Sequence, residues 1–160
     1  MIQAHNHADC VNNALAKARM VCDKNGVRLT PQRSRILEIV WNSHQPILAY
    51  EVLRILRQEK INAEPPTVYR ALDFLLENCL IHKIESLNAY IGCNHADRQH
   101  VSQFLICTQC KEVTEVDSNI MGKAISDIAG QQQFTVEHQT IEISGLCHDC
   151  QNSTTETKNP

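Results

Sequence analysis

Four cysteines stand in two short pairs, Cys107-Thr-Gln-Cys110 and Cys147-His-Asp-Cys150. A gap of two residues lets both sulfurs of a pair turn toward one point. Two such turns converging make a tetrahedral four-sulfur cage, and Zn²⁺ is the usual occupant of a closed cage of that kind. The 36 residues between the pairs are too many for a minimal zinc ribbon. The spacing therefore predicts a small subdomain stapled by a structural metal bound to Cys107, Cys110, Cys147 and Cys150. The other readings are two disulfides or a redox dithiol. A redox motif would be one pair rather than two and would open a helix after a strand; the first pair instead follows the apolar run Phe104-Leu105-Ile106.

A second group of ligand-type side chains precedes and surrounds the first pair: His82, Cys93, His95, Asp97, His100 and Glu115. One lone histidine is more often a core or surface residue. Six ligand types within 34 residues, at the seam between two predicted subdomains, form a candidate second metal site. Spacing alone does not choose the set, and His95 with Asp97 also suits a polar loop.

The elements that must position these residues follow from periodicity. Residues 10–25 carry Cys10, Ala14, Ala18, Val21 and Cys22 near helical spacing, stopped by Gly26. Cys22 belongs to the core face, and Cys10 lies near the fraying end. Thr30 suits an N-cap and Pro31 the first helical position, where a missing N–H has no partner to lose. Ile36, Leu37, Val40 and Trp41 form one apolar face, with Arg33 and Arg35 off it. A third helix runs from about Ala49 to Glu59. Glu64-Pro65-Pro66-Thr67 opens a fourth, with Leu72, Leu75 and Leu76 facing inward. The period then shifts to two, in Leu80–Glu85 and Ala89–Ile91, with Leu87-Asn88 at the tip of a hairpin. Helices followed by a β-hairpin make a winged helix-turn-helix, whose last helix enters the DNA major groove. Thr67, Tyr69 and Arg70 lie in the early turns that would be presented, and Arg28 is placed to reach phosphate. Arg70 as a solvated charge and Tyr69 as a packing residue is the competing reading.

Beyond the hinge, short strands at 103–106 and 112–116 flank the first cysteine pair. Ser118 caps a helix to Ala129 with Ile120, Met121, Ala124, Ile125 and Ile128 as its stripe. Residues 134–143 alternate as a long strand. The expected class is α+β: a winged-helix domain over 1–92, a small zinc-stapled α/β dimerisation domain over 93–150, and a disordered polar tail over 151–160. So small a core makes both a zinc staple and dimerisation plausible remedies.

Bulk properties narrow the function. Hydrophobic residues make up 42% of 160 and aromatics 4%, so aliphatic side chains must fill the cores. No apolar run approaches a membrane span and no secretory leader is seen, which points to the cytoplasm, where eight cysteines suggest metal or redox chemistry before disulfides. Residues 1–86 hold 11 Lys+Arg against 9 Asp+Glu, while 87–160 hold 4 against 9. Any nucleic-acid contact must come from a local basic face in the first half. A zinc deaminase would need His-x-Glu and Pro-Cys-x-x-Cys; Ile106 precedes Cys107 and no His-x-Glu occurs, so an enzyme of that class is not expected. A thiol-redox sensor has Cys79 as its spare candidate, in a place that reads as packing.

Three stretches together resemble the ferric uptake regulator family: Val27-Arg28-Leu29-Thr30-Pro31-Gln32-Arg33, Pro65-Pro66-Thr67-Val68-Tyr69-Arg70-Ala71-Leu72-Asp73, and the paired Cys-x-x-Cys motifs. The resemblance runs in order from about Cys10 to Cys150. Within the family, Pro65–Glu77 and the segment His82–Cys93 are similar to the zinc-responsive branch. The iron branch typically carries a His-His-Asp-His run before the first pair; here that stretch is His100-Val-Ser-Gln-Phe-Leu-Ile. The resemblance implies a homodimeric, zinc-responsive repressor of zinc-uptake genes that binds double-stranded operator DNA, with two Zn²⁺ per chain. The regulatory zinc at the hinge would be held by His82, Cys93, His100 and Glu115, with His95 the runner-up for His100. His138 matches a position used for a further metal in some members, without evident partners here. Regulation by iron or nickel, or thiol-based peroxide sensing, is the alternative within the family.

Overall fold

A computed structural model describes residues 7–43, 45–96, 101–116, 118–137 and 139–155. The chain forms two compact units, Met1–Gln99 and His100–Pro160. Cys93 donates its N–H to the Leu80 carbonyl at 3.1 Å, so the ladder of the wing carries it into the first unit.

In the first unit, α1 (His7–Lys24), α2 (Pro31–Asn42), α3 (Ala49–Gln58) and α4 (Pro65–Glu77) precede a hairpin of β1 (Ile81–Ile84) and β2 (Ala89–Gly92). The predicted start of α2 is present: Thr30 Oγ1 accepts from the Arg33 N–H at 3.3 Å, and Pro31 fills the first turn. Replacing such a cap by alanine typically costs about 1 kcal/mol. At α3 the local bond runs the other way, from the Leu48 N–H to the Glu51 carboxylate at 3.3 Å. One core joins the four helices and the wing, with Ile36, Leu37, Val52, Leu56, Leu72 and Leu75 among its fully buried side chains. Arg35 fastens α2 to the end of α3 through Glu59 and also pairs with Glu38. Those two carboxylates hold the guanidinium above its ordinary range, the Glu59 hydrogen bond contributing most.

The hairpin is antiparallel, with His82 opposite Ile91 and Ile84 opposite Ala89. Its tip is not the two-residue turn expected. Glu85–Leu87 form a 3₁₀ turn, and Asn88 takes the left-handed conformation, φ 48°, that closes it. Asparagine is one of the few side chains that tolerate this region. A bridge from Ile47 to Tyr90 lays a third backbone segment against the wing.

In the second unit, β3 (Ser102–Cys107), β4 (Val113–Val116) and β5 (Thr140–Gly145) form a sheet in the order β4-β3-β5, β4 antiparallel and β5 parallel to the central strand. The helix α5 (Asn119–Gln131) makes the crossover, and α6 (His148–Thr155) follows β5. The long strand expected over 134–143 shortens to its second half because β5 pairs from Thr140 opposite Ser102, where β3 itself begins. Phe134 instead turns back, donating its N–H to the Ala129 carbonyl. Residues 151–155, expected to be disordered, belong to α6. Among the described residues the apolar stripe of α5 is only partly covered: Met121 and Ile125 are half-buried, while Ile120 is 81% exposed and Ile128 61%.

Candidate functional site

The four paired cysteines of the second unit come together. Their sulfurs all lie within 4.8 Å of one another, with Cys110 Sγ and Cys147 Sγ 3.7 Å apart. Zn–S bonds of about 2.3 Å in a tetrahedron require sulfurs about 3.8 Å apart, so the cage has the size of a closed zinc site. Two turns build it. Cys107 ends β3, and the chain doubles back through Lys111, whose positive φ of 63° and N–H bond to the Cys107 carbonyl bring Cys110 beneath it. Cys147 precedes α6 and Cys150 lies in its first turn. The two turns are latched by Thr108, whose N–H and hydroxyl both donate to the Gly145 carbonyl, at 2.7 and 3.1 Å.

Backbone N–H groups aim at one sulfur in particular. Cys147 N–H donates to Cys107 Sγ at 3.4 Å. This bond first, then that from Cys110, brings the Cys107 thiol down to about 6. Cys150 is pushed up to about 12, chiefly by its hydrogen bond with Cys147 and by burial. The Glu112 backbone hydrogen bond lowers Cys110, but its hydrogen bonds with Cys107 and Cys147 together with burial outweigh it, so Cys110 is also raised. A divalent cation held by the four sulfurs would displace the protons of the thiols that are raised.

The members of the second group are held on separate pieces. His82 on β1 and Cys93 just past β2 stand on the same face of the wing, diagonal neighbours across the hairpin. Their ligand atoms approach within 4.8 Å, and Cys93 is only 3% exposed. His95 lies in the turn that follows. Glu115 belongs to β4 of the second unit, opposite Phe104. Asp97, His100 and His138 lie outside the described residues.

The nucleic-acid candidates share one helix. Pro65 and Pro66 fix the entry to α4, and the helix then divides by face. Val68, Ala71, Leu72 and Leu75 are buried, while Tyr69 is 52% exposed and Arg70 and Asp73 are open to solvent. Thr67 is half-buried at the start of this face. Arg28 is exposed, and its carbonyl is held by the Arg33 guanidinium at 2.8 Å. Arg33 also lies over the Phe74 ring at 3.6 Å, which ties the loop before α2 to α4. Sequence reasoning passed over Arg33, seeing only a charge off the apolar stripe; the Phe74 partner is visible only once α2 and α4 are packed.

The chain matches the ferric uptake regulator family over residues 24–144. It is 41% identical over 137 residues to the zinc uptake regulation protein of Escherichia coli (strain K12), covering 85% of this chain and 80% of that protein. A solved zinc uptake regulator complexed with zinc and DNA superposes with a TM-score of 0.85 at 38% identity, over 91% of this chain and 97% of that one. The crystal structure of holo XcZur gives 0.81 at 37% identity, over 88% and 99%.

Proposed function

The chain belongs to the ferric uptake regulator family, and on that footing we propose that it is a zinc-responsive repressor of zinc-uptake genes, acting as a homodimer on operator DNA. The observation that carries the reading is its likeness to a zinc uptake regulator solved with zinc and DNA. The division of α4 into a buried and an exposed face supports the DNA role. Arg70 would read a guanine edge, Tyr69 and Thr67 would contact backbone or a thymine methyl, and Arg28 would hold a phosphate. The exposure of Ile120 and Ile128 on α5 supports a second copy as their cover.

Two zinc ions per chain complete the proposal. The Cys107, Cys110, Cys147 and Cys150 cage has the donor set and size of a structural site. His82, Cys93, His100 and Glu115 would form the regulatory one. The pairing of His82 with Cys93 on the wing supports two of those ligands; His100 and Glu115 rest on the family resemblance. Zinc there adds +2 and removes one proton from Cys93, a net gain of about +1 per subunit. That charge is too small and too local to switch DNA affinity alone. Geometry is the better lever: ligands drawn from both units would hold the winged helices of the dimer at the spacing of successive half-sites. The loaded conformer would bind the operator and block transcription.

The test is operator binding titrated against buffered free zinc, with iron and nickel as controls. Affinity should rise with the second zinc equivalent and respond more weakly to the other metals. Binding that ignores zinc, or follows iron at lower free concentration, overturns the reading. A dithiol-dependent loss of binding under peroxide without zinc dependence would favour the redox alternative instead.

A further inference from the structure

Gly92, the last residue of β2, lies directly under the indole of Trp41 at the end of α2. A methyl group built at Gly92 would stand 2.6 Å from Trp41 Nε1, 2.7 Å from Cδ2 and nearer still to Cε2. The backbone of Gly92 is not in the left-handed region, so the glycine is required for room rather than for φ. Trp41 is the only tryptophan of the chain. The next residue along the strand is Cys93. Trp41 and Cys93, together with Cys10, Lys17 and Leu80, line one cavity of about 170 Å³ between α1, α2 and the end of the wing.

We infer that Trp41 and Gly92 form a matched pair that positions the Cys93 thiolate beside His82 for the regulatory metal. The inference rests on the reading of Cys93 as a metal ligand. Two restraints set the course of the strand at this point. The ladder fixes one edge, through Ile81 opposite Gly92 and the Cys93 N–H on Leu80. The indole, packed against bare backbone, fixes the face. Carbon atoms in ordinary contact sit about 3.5–4.0 Å apart, so a side chain at position 92 would push the strand or the ring by about 1 Å. Metal–ligand distances tolerate about 0.2 Å. A displacement of that size at residue 92 is large on the scale that decides whether Cys93 and His82 reach one ion. Trp41 and Gly92 are therefore positioning residues and touch no metal themselves.

The experiment measures the second zinc on the full-length protein by competition with a chelator, the first zinc remaining bound. Gly92→Ala should weaken the second zinc by about tenfold or more, the range seen when groups supporting metal ligands are altered. Refitting the pair, in the double variant Gly92→Ala with Trp41→Phe, places the added methyl under a smaller ring, so that the strand is again supported, and should recover most of that loss. With Co²⁺ at the second site, the thiolate-to-metal absorption should weaken in Gly92→Ala and return in the double variant, a signature that general destabilisation would not produce. If Gly92→Ala does not fold, Trp41→Phe carries the test, since a smaller ring leaves the strand unsupported and should also weaken the second zinc. Parental affinity in Gly92→Ala or in Trp41→Phe overturns the inference, as does a double variant no better than Gly92→Ala. Cys93→Ser separates the two layers: if it retains the second zinc, the ligand assignment itself fails. If Cys93→Ser loses the zinc while Gly92→Ala keeps it, only the pairing falls.

Discussion

Cys110→Ser should melt the C-terminal unit and leave the N-terminal one standing. The magnitude follows from how little else holds the second unit together. Its large apolar side chains buried among the described residues are Phe104 and Ile106, at 0% and 4% exposure. Fully burying two such groups contributes about 3–6 kcal/mol at about 1.5–3 kcal/mol each. A structural zinc contributes about 10–16 kcal/mol of folding free energy at pH 7. The metal therefore outweighs the core, and a serine hydroxyl in place of one thiolate forfeits most of that contribution. Calorimetry of the parent should show the second unit unfolding with zinc release, and Cys110→Ser should lose that transition and its first zinc. Size-exclusion with light scattering should show the dimer gone, because α5 is presented by the same unit. Cys79→Ser is the control: Cys79 is an exposed thiol outside the cage, and its loss should change neither zinc content nor assembly. A Cys110→Ser protein that stays dimeric, keeps both transitions and holds its zinc would refute the staple.

Other outcomes follow from the same geometry. Arg70→Ala should lose about 1–3 kcal/mol of discrimination between operator and mismatched DNA in competition binding, whereas Arg28→Ala should weaken all sequences alike and lower the salt slope by about one unit. Separate His95→Ala and His100→Ala variants decide the fourth regulatory ligand: loss of the second zinc only in His95→Ala moves the assignment to His95. Zinc binding at the four-cysteine cage should release protons, since Cys110 and Cys150 are raised above their usual range. Cys107, held down to about 6, adds a further proton only as pH falls through that value. Apparent zinc affinity should therefore fall with falling pH, and more steeply below about 6; calorimetry in buffers of different ionisation enthalpy that finds no proton release contradicts this. Cys79 follows α4 with a φ of 55°, a conformation that costs a side chain about 1–2 kcal/mol. Cys79→Gly should accordingly stabilise the N-terminal unit by about 1 kcal/mol after the greater freedom of glycine in the unfolded chain is subtracted, read as a higher denaturation midpoint.

The parts of this molecule written in local sequence were readable from it. Thr30-Pro31 announced α2, Pro65-Pro66 announced α4, and the two Cys-x-x-Cys pairs announced the cage, because each depends on neighbours within a turn. Features that depend on distant partners were not. The strand expected over 134–143 has the alternation of a strand, but ladder length is set by β3, some forty residues away. Alternation likewise gave a two-residue hairpin tip where Glu85 begins a 3₁₀ turn instead. The last backbone bond of the wing, Cys93 to Leu80, has no signature in side-chain pattern. Trp41 read as one more apolar residue of α2; its contact with Gly92 needs the wing folded over the helix.

The two faces of α4 carry a consequence for how such a protein can diversify. Val68, Leu72 and Leu75 are committed to the core, while Tyr69, Arg70 and Asp73 point away from it. Exposed positions of this kind usually change stability by no more than about 0.5 kcal/mol when substituted. If this face reads DNA as proposed, a lineage could rewrite positions 69 and 70 as its promoters drift, one substitution at a time, without passing through an unfolded intermediate sequence. The same freedom does not extend to position 68 or 72, where a change would be selected for packing whatever the DNA demanded.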